Sequence, residues 1–394
     1  NTNTMKFRSV TCFILLNLAI LTGSEEVDCS KHLRRSLESS LFGIVGKQLM
    51  EQNKDKGKGF VYSEFEIFHK LIMLFHSASN AVKENIRHFL NLHSPGCDDD
   101  WCSHFNSIAV EMKDLVGYES FFYYQKNKSL KTTDSLSKCF SRENILEVNF
   151  TESESTLKTI NDKYQTFSEL RWRSYIKQLD SRTDFHIVAG QKIHSNAFNP
   201  DEIGLLRDFT DLDGAIIDSD YSKTKGKFES RKLNIGDGNV ELMRTKIHED
   251  KLYMLYIVPE FGSTHDKSRK IKIMKNIFSN LGKYVKEGIK KNFAGEYSFE
   301  SLAVPLMSFY SKTDLKLILQ NELGYLFQER QLTSIYDGER DTLYDLEALE
   351  EFHNLLAKWG GRYWEPVDRA IDTPFVFAAV TEKNGIILRA GACL

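Results

Sequence analysis

The end of the chain constrains its fold most. Residues 375–380 read Phe-Val-Phe-Ala-Ala-Val and residues 386–388 read Ile-Ile-Leu, with Asn384-Gly385 between them. Two apolar runs joined through Asn-Gly predict a β-hairpin, because both turn residues tolerate the positive φ of a tight turn. The runs carry no polar residue, so the hairpin is read as buried. Just upstream, the segment from Trp359 to Asp368 (Trp-Gly-Gly-Arg-Tyr-Trp-Glu-Pro-Val-Asp) is read as exposed in spite of its bulky aromatics.

No internal repeat, low-complexity tract or Pro/Gly/Ser-rich linker divides the 394 residues, and the six prolines are well separated. That favours one cooperative domain. A hydrophobic content of 41% places the chain among globular proteins. The formal net charge of −3 gives no reason to expect a nucleic-acid partner. Residues 37–51 predict an amphipathic helix and residues 60–63 a short strand or loop. Over 65–92 apolar residues recur at helical spacing (Leu71, Ile72, Phe75, Ala78, Val82, Ile86, Phe89, Leu90), with a polar break near 77–80. Strand-like runs follow at 185–189, 240–243 and 252–258, and helical spacing returns over 314–327. Helices first and strands later, within one unit, predict an α+β domain with large antiparallel sheets.

Lys6 and Arg8 precede an apolar run over 10–21 and the small residues Thr22-Gly23-Ser24. This pattern predicts a leader and signal peptide over 1–24, with Met5 as the start, and a folded domain over 25–394. The apolar run is shorter than the roughly 20 residues of a spanning helix, so a secreted protein without a membrane segment is expected. Cys29, Cys97, Cys102, Cys139 and Cys393 would then remain, and an odd number leaves at least one thiol unpaired. Cys97 and Cys102 flank an acidic turn; they either close a small disulfide loop or stay free or pair elsewhere. The sequons Asn127-Lys-Ser and Asn149-Phe-Thr are candidate glycosylation sites.

Several segments resemble the serpin pattern in order and spacing. Val61-Tyr-Ser63 followed by Met73 to Ile86 resembles the family's "FFSP…MLxxGAxGxTxxEI". Leu252 to Pro259 resembles "LSMLILLP", and Pro305 to Leu315 resembles "PKFKLESEYDL", with Leu323-Gly324 following as "LG". Thr373 to Phe377 resembles "HPFLF", and Ile387 to Gly391 resembles "ILFxG". The resemblance runs from about residue 37 to the end. It implies a single α+β domain of three β-sheets surrounded by about nine helices, with a reactive loop above the largest sheet. It implies a monomer without cofactor whose partner is an extracellular serine protease. Inhibitory members are suicide substrates: the loop is cleaved, its N-terminal half inserts as a new strand, and a metastable native state supplies the energy.

The reactive-loop-like segment 360–372 departs from that pattern. Gly360 is kept, but Gly361, Arg362, Tyr363, Trp364, Glu365 and Pro366 follow where the family has small residues. An inserted strand alternates its side chains between two packed faces, so small ones let it enter. Arginine and tryptophan there overpack the sheet or bury charge, and Pro366 lacks a ladder donor. The stretch 360–374 is also about ten residues shorter than an inhibitory loop, and its fourteen residue steps span only about 46 Å at roughly 3.3 Å each. Arg369-Ala370 reads either as a trypsin-like scissile bond or as an ordinary surface arginine. Of the family's buried polar cluster under the sheet, Ser63 is kept, while Ala189, Ala197 and Glu350 stand where asparagine, tryptophan and histidine are expected. The expectation is a serpin-like protein that has lost the trap. The alternatives are a non-inhibitory binding or carrier protein and a reversible protease inhibitor.

Lys267, Arg269, Lys270, Lys272 and Lys275 form a basic run that is either a polyanion site, for a sulfated glycosaminoglycan, or a solvated helix face. His88, His93, Cys97, Cys102 and His104 match no zinc spacing, so no metal site is expected. No Gly-x-Ser-x-Gly elbow, P-loop, dinucleotide fingerprint or His-Glu-x-x-His occurs, so neither catalysis nor a cofactor is expected.

Overall fold

The computed structural model describes residues 28–37, 42–57, 59–93, 96–128, 133–168, 176, 178–193, 202–234, 239–247, 251–262, 264, 266–291, 293, 297–305, 308–324, 344–353 and 367–394. The helix expected over 37–51 is α2 (Phe42–Asn53), and an unexpected helix, α1 (Cys29–Leu37), precedes it. The long helical pattern of 65–92 forms α3 (Glu64–Ser77) and α4 (Asn80–Phe89), broken at Ala78 and Ser79 where the polar interruption stood. Ser63 caps α3: its hydroxyl accepts from the Glu66 amide at 3.2 Å, satisfying one of the amides a helix start leaves open. Thirteen of the fourteen α3 residues are buried, so α3 has no solvent face and runs through the interior.

Five strands form the sheet beside α3: β2 (Val116–Gln125), β3 (Ile145–Val148), β4 (Phe185–Ile193), β10 (Ser308–Asp314) and β11 (Tyr344–His353), in the order β10-β11-β4-β2-β3. Pairing is parallel at β11/β4 and β2/β3 and antiparallel elsewhere. Its strands β2 and β4 are covered on both faces. Phe122, Phe185 and Ile187 join the main core; Phe121, Tyr123 and Val188 pack with Phe150 and Ile160, the latter on α7 (Ser153–Ser168). This is the alternation a strand imposes on successive side chains.

The other strands are β1 (Phe60–Tyr62), β5 (Glu202–Thr210), β6 (Ile216–Asn234), β7 (Asn239–Ile247), β8 (Leu252–Pro259), β9 (Tyr297–Pro305), β12 (Arg369–Ala370), β13 (Phe375–Thr381) and β14 (Ile387–Cys393). They make one sheet, β1-β14-β13-β8-β7-β6-β9-β12, with β5 on β6. Two separate sheets were expected here. They are continuous because β6 is long: β5 pairs with its first part and β7 with its second, and its pairing with β9 shifts register between Lys225 and Phe228. A bulge at that point lets one strand serve two layers.

The closing hairpin forms as expected, but not through a two-residue turn. Gly385 has φ +65° while Asn384 is not in the left-handed region. Instead Thr381 closes a longer loop: its amide donates to the Ile386 carbonyl (2.9 Å), its carbonyl accepts from the Gly385 amide (3.0 Å), and its hydroxyl accepts from the Ile386 amide (2.9 Å). Gly391 is glycine for a steric reason. A Cβ there would stand 2.2 Å from the Phe60 carbonyl oxygen, because β1 crosses β14 with Val61 opposite Gly391.

The remaining helices are α5 (Trp101–Glu111), α6 (Thr133–Cys139), α8 (Lys267–Ser279), α9 (Leu281–Gly288) and α10 (Leu315–Leu323). Asp314 caps α10 by accepting from the Lys316 and Leu317 amides at 2.9 and 3.2 Å. The end of α9 is held by a buried arginine. Arg244 on β7 donates to Glu229 (2.7 Å) and to the carbonyls of Gly288 (2.7 Å) and Lys290 (2.9 Å), and lies 4.2 Å from the Phe293 ring centre. It supplies partners for carbonyls that a helix end leaves without them.

Candidate functional site

The functional question lies where β11 leaves the five-stranded sheet and β12 re-enters the larger one. The described ladder between β11 and β4 covers three pairs, Tyr344–Leu346 against Phe185–Ile187. Beyond it β4 continues to Ile193 and β11 to His353. This seam in the middle of the sheet is short, and the segment under question follows directly from its open end. Gly360, Gly361, Arg362, Tyr363 and Trp364 lie outside the described residues.

Arg369 and Ala370 are described, and they are not part of an exposed loop. They form β12, paired in parallel with Leu302 and Ala303 of β9. The pairing is enforced on both sides. The Asp368 carboxylate accepts from the amides of Glu300 (2.9 Å) and Ser301 (3.0 Å), and the Asp368 amide donates to the Ser301 hydroxyl (2.9 Å). These donors, the Glu300 amide first, hold the Asp368 carboxyl below its ordinary value. The Ile371 amide donates to the Ala303 carbonyl at 3.0 Å, and the Thr210 amide to the Asp372 carbonyl at 2.8 Å. Arg369 ion-pairs with Glu241. A protease needs an extended backbone that is free to pair with the enzyme. Here that backbone is paired in a sheet, which favours the second of the two readings of Arg369-Ala370, an ordinary surface arginine.

Beneath the seam, α3 is tied to the strands by polar contacts. The Ser63 hydroxyl donates to the Gln191 side-chain oxygen at 2.7 Å, and the Arg389 guanidinium of β14 donates to the Gln191 carbonyl. Sequence comparison had placed Ala189 at the polar position. Ala189 instead lies opposite Ser120 in the sheet, and the polar residue is two further on, on the same strand face. Ala197 lies outside the described residues, and Glu350 pairs in register with Ser311 at the β10/β11 ladder. Nearly two turns along α3, the His69 ring nitrogen Nδ1 stands 2.6 Å from the Tyr118 hydroxyl of β2, and the ring stacks on Phe105 at 4.4 Å. Burial, and then the charge of Lys70, push the imidazole down to about 3. Glu66 and Lys70 form an ion pair with both side chains fully buried. The Glu64 carboxyl, also buried, is pushed well above its ordinary value by desolvation. Of these residues, only Ser63 was singled out in the sequence. A polar residue at the same face of an apolar strand run was the signal for Gln191.

The cysteines pair otherwise than the acidic turn suggested. Cys29 joins Cys97 and Cys102 joins Cys139, leaving Cys393 free. Cys97 precedes α5 and reaches the first residue of α1. Cys102 lies in the first turn of α5 and reaches the last residue of α6. The helix start between the two cysteines thus sends them to different partners. The free Cys393 fits the odd count.

The sequon residues differ in environment. Asn127 sits in an exposed turn after β2 with φ +68°. Asn149 is half-buried, and its amide nitrogen donates to Glu152 at 2.8 Å while its oxygen accepts from the Thr151 hydroxyl at 2.6 Å.

The basic run on α8 is not one face. Lys267 pairs with Asp213 at 3.0 Å and Asp55 at 3.5 Å. Lys270 is buried, donating to the Asp211 carbonyl at 3.2 Å, and Lys275 pairs with Glu51. Arg269 and Lys272 are exposed. Three of the five cations are therefore engaged within the molecule, which favours the structural alternative. Of the histidines near the acidic turn, His88 and His93 meet edge to face at 5.6 Å, while Cys97 and Cys102 are taken by disulfides.

No family model matches the sequence, and no curated protein matches it. Solved structures do. A tumour-suppressing serpin superposes with a TM-score of 0.71 and 15% identity, over 92% of this chain and 98% of its own. Native protease nexin-1 with heparin gives 0.68 and 16%, over 91% and 99%. Human glycosylated kallistatin gives 0.69 and 14%, over 91% and 98%. At these identities the likeness is one of fold, and it spans nearly the whole of each chain: this protein has the serpin fold. Among the described residues, no helix is long and apolar enough to cross a membrane.

Proposed function

We propose that the chain is a secreted serpin-family protein that does not trap proteases covalently. In this reading it is a monomeric, non-catalytic binding protein without cofactor, built as residues 25–394 after removal of a signal peptide. Any protease it engages is an extracellular serine protease, held reversibly. One observation carries the reading: the clamp of Asp368 on Glu300 and Ser301 commits residues 367–372 to the sheet. What remains between β11 and the clamp is residues 354–366, at most about 43 Å of chain. That stretch would have to supply both an inserted strand and a bait, and it contains Arg362, Trp364 and Pro366. Each of these opposes entry into a central strand. The engaged lysines of α8 weigh against a glycosaminoglycan site on that helix.

The test is incubation of the purified protein with trypsin-, chymotrypsin- and elastase-like proteases. Cleavage without an SDS-resistant complex, and without a rise in melting temperature afterwards, is expected. An SDS-resistant complex, or a cleaved form that melts well above the intact one, would overturn the reading.

A further inference from the structure

Away from the seam, three donor atoms converge from three helices. His76 in the last turn of α3, Cys102 in the first turn of α5 and Cys139 at the end of α6 bring a ring nitrogen and two sulfurs within 4.8 Å of one another. Both cysteines are fully enclosed. The His76 Nε2 atom is buried and makes no hydrogen bond, although a buried ring nitrogen is ordinarily satisfied. The sequence had grouped Cys102 with His88, His93 and His104; the fold replaces all three with His76.

Two thiolates and an imidazole are a borderline-soft donor set suited to zinc. With the sulfurs joined, the set is closed. In a tetrahedral centre with metal–sulfur bonds of about 2.3 Å, the sulfurs stand about 3.8 Å apart. The sulfurs are bonded now and must part by about 2 Å before a metal can enter, while His76 already stands beside both.

We propose that the Cys102–Cys139 bond gates a metal site, which reduction converts into a Cys2His centre for zinc(II) with its fourth position open to water. A dithiol supplies the electrons. It gives two hydrogen atoms to the sulfur–sulfur bond, which breaks into two thiols, while the dithiol closes to its own disulfide. The metal then displaces both thiol protons to solvent, leaving two thiolates and a neutral imidazole on the ion. Cys29–Cys97 is not expected to behave this way, since among the described residues no third donor stands with that pair.

The test uses cobalt(II) as the probe on the full chain, reduced with excess dithiol and exchanged into anaerobic buffer. One equivalent should bind with thiolate-to-cobalt absorption in the near ultraviolet and a tetrahedral band in the visible. The oxidised chain should show neither band. The Cys29→Ala/Cys97→Ala variant should keep the spectrum and Cys139→Ala should lose it. His76→Ala, whose disulfide is intact before reduction, should bind at least about tenfold more weakly, since loss of even an outer-shell partner costs that much. No absorption in the reduced chain overturns the proposal. So does a band that survives Cys139→Ala, one that needs Cys29 and Cys97, or equal affinity in His76→Ala.

Discussion

His69 should make the protein acid-labile in a defined window. Its ring is fully buried between Phe105 and the Tyr118 hydroxyl, and it takes a proton in the folded state only at about 3, against an ordinary value of 6.5. Between those values the unfolded chain binds a proton that the folded chain excludes. Stability is therefore full above 6.5 and falls as the pH drops towards the folded value. The whole shift corresponds to about 5 kcal/mol, of which about 3 kcal/mol is lost between pH 7 and pH 4. Glu64 acts with the opposite sign. Its raised carboxyl contributes stability below its ordinary value of 4.5, which is lost as pH rises through the folded value. That term is present in wild type and variant alike and cancels in their difference. The variant is His69→Gln, which keeps a hydrogen-bonding partner for Tyr118 but does not titrate. Unfolding free energies from urea titrations at pH 7 and pH 4 should show wild type losing about 3 kcal/mol more than the variant. Parallel losses, within about 0.5 kcal/mol, would refute the argument that burial excludes the proton.

Two further outcomes follow from the same kind of accounting. Arg244→Met leaves the carbonyls of Gly288 and Lys290 without their donor and Glu229 with Lys227 alone; leaving buried acceptors unsatisfied costs about 1–3 kcal/mol, or roughly 3 °C of melting temperature for a chain this long, read by calorimetry. When the protein is expressed through a secretory pathway, Asn127→Gln should abolish the mobility shift on deglycosylation and Asn149→Gln should not, because the Asn149 amide is already bonded to Glu152.

What was legible in the sequence follows from how far each signal reaches. Buried periodic segments were read correctly: α3 and α4 with their break, the three strand runs and the closing hairpin all depend on local patterns. The hairpin loop was misread because Asn-Gly reports a tolerance for positive φ, and Thr381 supplied a different closure. Pairings across the fold were not legible. Cys97 and Cys102 are near in sequence, yet the start of α5 turns them apart, and no spacing rule names Cys29 or Cys139. Ala189 was chosen over Gln191 by an alignment two residues out of step. Because strand faces repeat every second residue, such an error keeps the face and loses the chemistry. His76 carried no signal, since what gives it interest is the convergence of three helices.

The contacts under the seam and the segment beside it bear unequally on the proposed loss of trapping. Parting β4 from β11 moves β4 against α3, and the contact at risk there is Ser63 with Gln191. A hydrogen bond of that kind contributes about 1 kcal/mol net, and His69 with Tyr118 about as much again. Roughly 2 kcal/mol slows an opening sheet but does not forbid one that a metastable fold drives. Entry of Arg362, Trp364 and Pro366 into a central strand is a different matter. Overpacking alone costs about 1–3 kcal/mol per site, and a buried unpaired guanidinium costs several more. The decision therefore rests with the side chains of the segment that must enter the sheet, while the polar contacts of α3 set how readily the sheet would open for a segment that fitted.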